Sequence, residues 1–321
     1  MNSSCSTGDA GTSPSRRDFL HQAAGITVGL AAASAAKADG EQNDTASALL
    51  PAVPLGPHNV TRLIVGGNPI YGHSHFNRLY SQHLIDYHTP ERVVELLRDC
   101  ERAGINTWQN SYSERTLSDI DRVRSEGVKF HWLCLGKTDW DEHPELIEHV
   151  AKRKPIGIAP HGALAERLHR QNKVPVLLDL LKRIRSTGVN VGLSAHNPAL
   201  IELAEEQGWD VDYYMCCQYY LTRPREEFQK ALGEVPMGEV YLPSDRDRML
   251  QVVRAAKKPC LVYKVLAAGR ANLSAAGIRE AFQYTLSHIK PTDAMIVGMF
   301  QEFGDQVAMN AEIVRELCST S

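Results

Sequence analysis

The chain has 321 residues, of which 43% are hydrophobic and 23% are charged, so it can bury the large core of an ordinary globular protein. Its formal net charge of -3 does not indicate a nucleic-acid-binding protein, and a small-molecule ligand or substrate is the expected partner. Length alone allows one large domain or two smaller ones.

The N-terminal segment has the order of a twin-arginine export signal. Ser15–Leu20 reads Ser-Arg-Arg-Asp-Phe-Leu, an uncharged apolar run extends from Ala23 to Ala36, and small residues follow at Ala36-Lys37-Ala38. This order predicts a signal peptide over residues 1–38, export by the twin-arginine machinery, and a periplasmic or other extracytoplasmic location. The run is shorter than the about 20 apolar residues of a membrane span. We therefore expect no stable membrane association after cleavage, whereas an uncleaved leader would be an anchor.

Residues 39–59 are polar and rich in proline, and they are predicted to form a linker. Beyond them, eight apolar runs typical of strands alternate with helical patterns. The predicted strands are residues 61–67, 105–108, 129–135, 155–160, 189–194, 211–217, 259–266 and 294–299. The helix start at Thr89-Pro90-Glu91 combines an N-cap, a proline at the first position and an acidic first turn. The helix before the eighth strand is expected at 275–289, and Ser244 is expected to cap the one before the seventh.

This alternation predicts an α/β fold with a parallel sheet, and eight units within residues 60–321 predict one (β/α)8 TIM barrel domain. A doubly wound open sheet is the alternative. Gly66-Gly67-Asn68-Pro69 follows the first strand, but its glycine spacing and its proline do not suit a phosphate-binding loop. Residues 221–242 form a longer connection that could cover the barrel mouth as a lid.

Active sites of such barrels lie at the C-terminal ends of the strands, and two kinds of chemistry can be built from the residues predicted there. The first is an acid–base group of Tyr112, Lys137 and His161. A lysine cation would lower the tyrosine pKa from its usual value of about 10, and the histidine would orient a substrate carbonyl.

The second is a metal site, because neutral imidazoles that converge on a barrel mouth can bind zinc or a similar ion. The candidates are the His73-Ser74-His75 pair with His161 and His196. Since that pair lies several residues beyond the first strand, we assign no residue to a metal.

The order of the motifs resembles that of the aldo/keto reductases over residues 62–317. The segments that carry the resemblance are residues 103–107, 112–114, 136–137, 160–161 and 191–198, with Val297-Gly298 and Asp305–Asn310 near the C-terminus. The resemblance implies nicotinamide-dependent reduction of a carbonyl compound, sugar-like ones included. The implied catalytic residues are Tyr112, Lys137 and His161, with Gln109 where the family has an aspartate.

The resemblance also implies a bound NADP or NAD. The implied cofactor-binding residues are Ser194, Gln218, Tyr219, Gly298, Gln306 and Asn310. The chain departs from the family at Ala195, where an asparagine is usual, and Glu302 would repel a 2′-phosphate. Two alternatives stay open: a barrel enzyme of other chemistry, such as a metal-assisted hydrolase or isomerase, and a non-catalytic ligand-binding barrel.

Overall fold

The computed structural model describes residues 48–271 and 274–319, so the predicted leader and the first part of the predicted linker lie outside it. Within the described residues, eight parallel strands close into a barrel in the order β3 to β10, with β10 paired to β3. The strands are β1 Ala52–Leu55, β2 His58–Thr61, β3 Leu63–Gly66, β4 Thr107–Ser111, β5 His131–Leu135, β6 Gly157–Ala159, β7 Asn190–Ala195, β8 Tyr213–Cys217, β9 Cys260–Tyr263 and β10 Ala294–Gly298. This topology confirms the predicted (β/α)8 TIM barrel.

Helices surround the barrel and connect its strands. They are α1 Arg78–Tyr87, α2 Pro90–Arg102, α3 Glu114–Ser125, α4 Leu146–Ala151, α5 Gly162–Arg170, α6 Val174–Ser186, α7 Pro198–Glu206, α8 Arg225–Leu232, α9 Pro243–Ala255, α10 Ala275–His288 and α11 Gln306–Ser319, with a 3-10 turn at Ala267–Gly269. Within the described residues, no helix is long and apolar enough to cross a membrane.

The strands are buried on both faces, which explains why their sequences read as continuous apolar runs. Alternate residues such as Ile64, Leu133 and Met215 fill the barrel interior. Their neighbours, such as Trp132 and Cys216, face the helices in a larger outer layer. This alternation decides which side chains beyond the strand ends can reach the barrel mouth.

The described part of the predicted linker is an ordered hairpin. β1 and β2 pair antiparallel from Ala52↔Thr61 to Leu55↔His58. Val53, Leu55 and Val60 are buried and pack with the interior residues of the barrel. The hairpin closes the N-terminal end of the barrel, and the alternation of apolar residues in this short segment is the signal that the linker prediction overlooked.

We expect Val60→Ala to lower the free energy of unfolding by about 2 kcal/mol. Val60 is fully buried, so removal of its two methyl groups would leave a cavity where the hairpin packs against the barrel interior. Asn59→Ser is the matched control on the same hairpin, since Asn59 is exposed and contributes its backbone carbonyl to Asn106. Urea unfolding of both variants measures the difference. Equal midpoints for the two variants would show that the hairpin does not stabilise the barrel.

Helix starts were predicted with mixed success. Thr89 caps α2 by accepting a hydrogen bond from the Arg92 N–H, as expected from the sequence. Helix α10 begins at the expected residue, Ala275. The prediction that Ser244 caps a helix was wrong, because α9 already begins at Pro243 and makes no side-chain cap. Proline at the first helical position supplies the start there instead.

Two helices were not predicted, and both lie at the mouth of the barrel. α1 follows the loop after β3, and α5 follows β6 directly. The predicted lid segment, residues 221–242, contains α8. Of these helices, α1 contributes Tyr80 and Leu84 to the lining of a cavity at the mouth.

Candidate functional site at the barrel mouth

A cavity of about 510 Å³ opens at the C-terminal ends of β3, β4, β9 and β10. Asn68, His73, Gln109, Tyr263 and Lys264 line it near the barrel axis. From there it extends outward to α10 and α11. A cavity of this size and placement is typical of a small-molecule site in this fold.

Lys264 is the most unusual residue of the cavity, and no sequence motif assigns it a role. It follows β9 directly, is half-buried, and has a left-handed backbone conformation with φ of 66°. Desolvation lowers the pKa of its amine to about 8, and the Cys217 thiol and Glu239 only partly oppose this. Among the described residues, no carboxylate lies within ion-pair distance of its Nζ. A strained lysine that is partly neutral near physiological pH marks a candidate functional site.

His161 reaches the mouth from the end of β6, where it caps α5. Its Nδ1 accepts a hydrogen bond of 3.1 Å from the Ala163 N–H, which fixes the remaining proton of the neutral ring on Nε2. Desolvation and the neighbouring His196 lower the pKa of His161 to about 4. His161 is therefore a neutral hydrogen-bond donor at physiological pH.

A buried carboxylate holds three loops of the mouth together. Glu166, on α5, accepts hydrogen bonds from the backbone N–H groups of His196 and Asn197 and from the Thr222 hydroxyl. His196 Nδ1 lies 3.5 Å from Glu166 Oε1. Burial alone would raise the pKa of Glu166, but His196 and Thr222 together with the Asn197 N–H outweigh it and lower that pKa. Glu166 is thus an ionised clamp between the ends of β6, β7 and β8.

Tyr112 and Lys137 lie next to each other but outside the mouth. Gln109 lines the cavity, and successive side chains of a strand point to opposite faces. Tyr112, an odd number of residues further on, therefore points to the helix side, where it contacts Trp140. The Lys137 ammonium lies 5.3 Å from the centre of the Tyr112 ring. Burial and a hydrogen bond to Glu114 raise the pKa of Tyr112 to about 12. Of the residues implied as catalytic, the structure brings Gln109 and His161 to the mouth and places the other two elsewhere.

Three of the residues implied for cofactor binding lie within β7 or directly after β8, and their side chains point in different directions. Ser194 Oγ lies 3.3 Å from Tyr263 Oη and faces the barrel interior. Gln218 points outward, and its Nε2 donates a hydrogen bond of 2.8 Å to Thr285 on α10. Tyr219 does not line the cavity, and its ring packs edge-on against Tyr241 with ring centres 5.0 Å apart.

The other three line the outer part of the cavity, beside β10 and α11: Gly298, Gln306 and Asn310. Gln306 Oε1 accepts a hydrogen bond of 2.9 Å from the Phe300 N–H. Asn310 is 2% exposed, and its Oδ1 has no hydrogen-bond partner among the described residues. A buried amide oxygen without a partner is costly, so this atom is a candidate for contact with a ligand.

Residues 221–242 do reach the mouth. Glu239 accepts a hydrogen bond of 2.7 Å between its Oε1 and His75 Nδ1, and Tyr241 donates to its other oxygen. Arg270 donates to the His75 carbonyl at 2.8 Å. These contacts join the loops that follow β3, β8 and β9 over one side of the cavity.

The histidines considered for a metal site do not form one by themselves. In residues 48–271 and 274–319, no group of three His, Cys, Asp or Glu side chains is arranged to hold a metal ion. His161 and His196 have ring centres 6.2 Å apart, and Glu239 engages His75.

No known family model and no curated protein matches this sequence. Among solved structures, dihydropteroate synthase from Thermus thermophilus is similar at 13% identity, with a TM-score of 0.50, over 84% of this chain and 100% of that one. A truncated 3-deoxy-D-arabino-heptulosonate 7-phosphate synthase from Thermotoga maritima is similar at 14% identity, with a TM-score of 0.49, over 85% and 92%. The Xanthomonas albilineans dihydropteroate synthase is similar at 12% identity, with a TM-score of 0.47, over 85% and 98%. The first likeness supports the barrel fold, and identities this low carry no chemistry to this chain.

Proposed function

We propose that the protein is a barrel enzyme that acts on a small carbonyl compound through the amine of Lys264. The observation that carries the proposal is the place of this lysine, half-buried in the mouth cavity, with a pKa of about 8 and no carboxylate partner among the described residues. Lysines activated by desolvation are the ones that form imines with carbonyl substrates.

The proposed step is imine formation. The neutral Lys264 amine attacks the carbonyl carbon, the new C–N bond forms, and the C–O bond breaks with loss of water, so no redox partner is needed. His161 lies at the neighbouring end of β6, outside the cavity lining, and we assign its Nε2–H to the carbonyl oxygen of a substrate that extends towards it. His73 lines the same cavity, and its pKa is lowered by desolvation and, to a smaller extent, by His75 and Lys264, so it is a neutral imidazole suited to carry the proton.

A nicotinamide-dependent reductase, which the family resemblance implies, is the second candidate. Gly298, Gln306 and Asn310 favour it because they line one part of the cavity. The fit fails elsewhere: Tyr112 and Lys137 point away from the mouth, and Gln218 bonds to α10 instead of facing a nicotinamide. We therefore derive no hydride transfer from this site.

Reductive trapping tests the proposal. The purified protein, incubated with dihydroxyacetone and cyanoborohydride, is expected to gain one reduced adduct at Lys264, located by peptide mass spectrometry. Lys264→Met is expected to abolish that adduct, and Lys137→Met, the matched control, is expected to keep it. Adducts spread over surface lysines, or retained in Lys264→Met, would exclude the proposed role.

Tyr112→Phe separates the two candidates. We expect it to leave the Lys264 adduct unchanged and to cost only the hydrogen bond to Glu114, about 1 kcal/mol of unfolding free energy. Fluorescence titration with NADPH and NADH is the companion measurement. Tight binding of either, with carbonyl reduction that Tyr112→Phe abolishes, would favour the reductase and contradict our proposal.

A further inference from the structure

The mouth cavity has two parts of different character. The inner part contains Lys264, His73 and Gln109. The outer part, which we call the side arm, is bounded mainly by apolar residues of the connection after β9, of β10 and the segment that follows it, and of the two last helices: Leu266, Ile278, Val297, Phe300 and Met309. Its polar side chains are Gln306, whose Oε1 already accepts the Phe300 N–H, and Asn310. A carbonyl compound of a few carbons would fill only a fraction of the 510 Å³, which leaves the side arm open to a further part of a larger substrate.

The side arm is poorly suited to a phosphate-bearing ligand. The N–H groups that open α11 are already occupied, because Gln306 and Val307 donate to the Gln301 side chain. Asp305 accepts from the next N–H, that of Ala308, and adds a negative charge there. Helix N-termini bind anions only when these donors are free. Among the described lining residues, Lys264 is the one lysine or arginine, so a diphosphate would lack a basic clamp.

An uncharged aromatic group fits the side arm better. Met309 offers a flexible thioether and Ile278 and Phe300 offer apolar surface, which are the contacts that a flat aromatic ring prefers. Asn310 differs from Gln306, the other polar residue of this wall, because its buried amide oxygen has no partner among the described residues. Its orphaned Oδ1 would gain a partner from one hydroxyl or N–H group on such a ring.

We propose that the side arm binds an uncharged aromatic portion of the substrate. We further propose that Asn310 favours aromatic portions that carry a hydrogen-bond donor. The inference rests on the proposed function for the part of the substrate that carries the carbonyl group. Binding of the aromatic part in the side arm can be measured separately, because it needs no turnover. The substrate class is therefore a carbonyl compound joined to a hydroxylated or N–H-bearing aromatic ring.

The test uses 2-naphthol, which has a donor, and 2-methoxynaphthalene, which has none, in calorimetric titrations of the full chain. We expect 2-naphthol to bind the unmodified protein about tenfold more tightly, which is the effect of one buried hydrogen bond. Asn310→Leu is expected to abolish that preference while 2-methoxynaphthalene still binds. Lys264→Met is expected to keep the preference, even though it loses the imine adduct.

Equal affinity of the two naphthalenes for the unmodified protein would overturn the role of Asn310. Displacement of 2-naphthol by micromolar ADP would show a nucleotide arm and overturn the aromatic assignment. If Asn310→Leu fails to fold, magnetisation transfer from bound 2-naphthol to the Met309 methyl group decides the question, and its absence counts against the proposal. Absence of the Lys264 adduct in the unmodified protein, with naphthol selectivity intact, would refute the proposed function and leave the side-arm proposal standing.

Discussion

Lys264→Met is expected to remove imine formation completely and, at the same time, to stabilise the fold. Desolvation makes the charged amine unfavourable in the cavity, so the folded protein binds the lysine proton less tightly than the unfolded chain does. The unfolded lysine titrates near 10.5 and the folded one near 8. The resulting cost to stability is absent above pH 10.5, grows as the pH falls towards 8, and is constant below that.

A shift of this size is worth about 3 kcal/mol at pH 7, and the partial exposure of Lys264 reduces that value. Methionine in place of this lysine should therefore raise the free energy of unfolding by about 2 kcal/mol. Urea unfolding at pH 7 measures that gain, and the rate of adduct formation measures the chemistry. In the unmodified protein the adduct should form faster as the pH rises through about 8, because only the neutral amine attacks. A destabilised Lys264→Met variant would mean that the lysine has a structural role and would contradict the account.

We expect Glu166→Gln to lower the free energy of unfolding by about 3 kcal/mol at pH 7, the second large effect. The carboxylate is 2% exposed and accepts three hydrogen bonds. A glutamine oxygen can replace only one carboxylate oxygen, and its NH2 group would face donors. The loops at the ends of β7 and β8 should loosen, and His196 with them.

The pH dependence of this effect has a definite sign. The folded pKa of Glu166 lies below its ordinary value of 4.5, so its contribution to stability is fully present above pH 4.5. That contribution is lost as the pH falls through the folded pKa. Thr222→Val is the matched control, because it removes one of the hydrogen bonds and keeps the charge. Equal losses for Glu166→Gln at pH 7 and pH 3 would show that the charge is unimportant.

The barrel could be predicted from the sequence because eight alternations of apolar strand and amphipathic helix leave few other folds. Side-chain direction was harder. The second strand was predicted at residues 105–108, whereas β4 covers Thr107–Ser111. With the correct bounds, the alternation that takes Gln109 into the mouth takes Tyr112 to the helix side.

Lys264 was missed for a different reason. The sequence placed it at the end of the seventh strand, but no local motif distinguishes it from other lysines. Its importance comes from desolvation and from a left-handed backbone, and both depend on distant elements that pack around it. The buried clamp at Glu166 is similar, because its three donors come from two other loops.

Export by the twin-arginine route remains a prediction, since residues 1–38 lie outside the described chain. Arg16→Lys together with Arg17→Lys should retain the protein in the cytoplasm if the leader is functional. Cell fractionation measures that directly.

Competitive acetylation at a series of pH values, followed by peptide mass spectrometry, measures the pKa of the Lys264 amine, on which the proposed function depends. We expect a labelling midpoint of about 8 for this lysine. A midpoint at the ordinary lysine value of 10.5 would show that the amine is a solvated cation, and Lys264 would then lose its place as the reactive group of the barrel mouth.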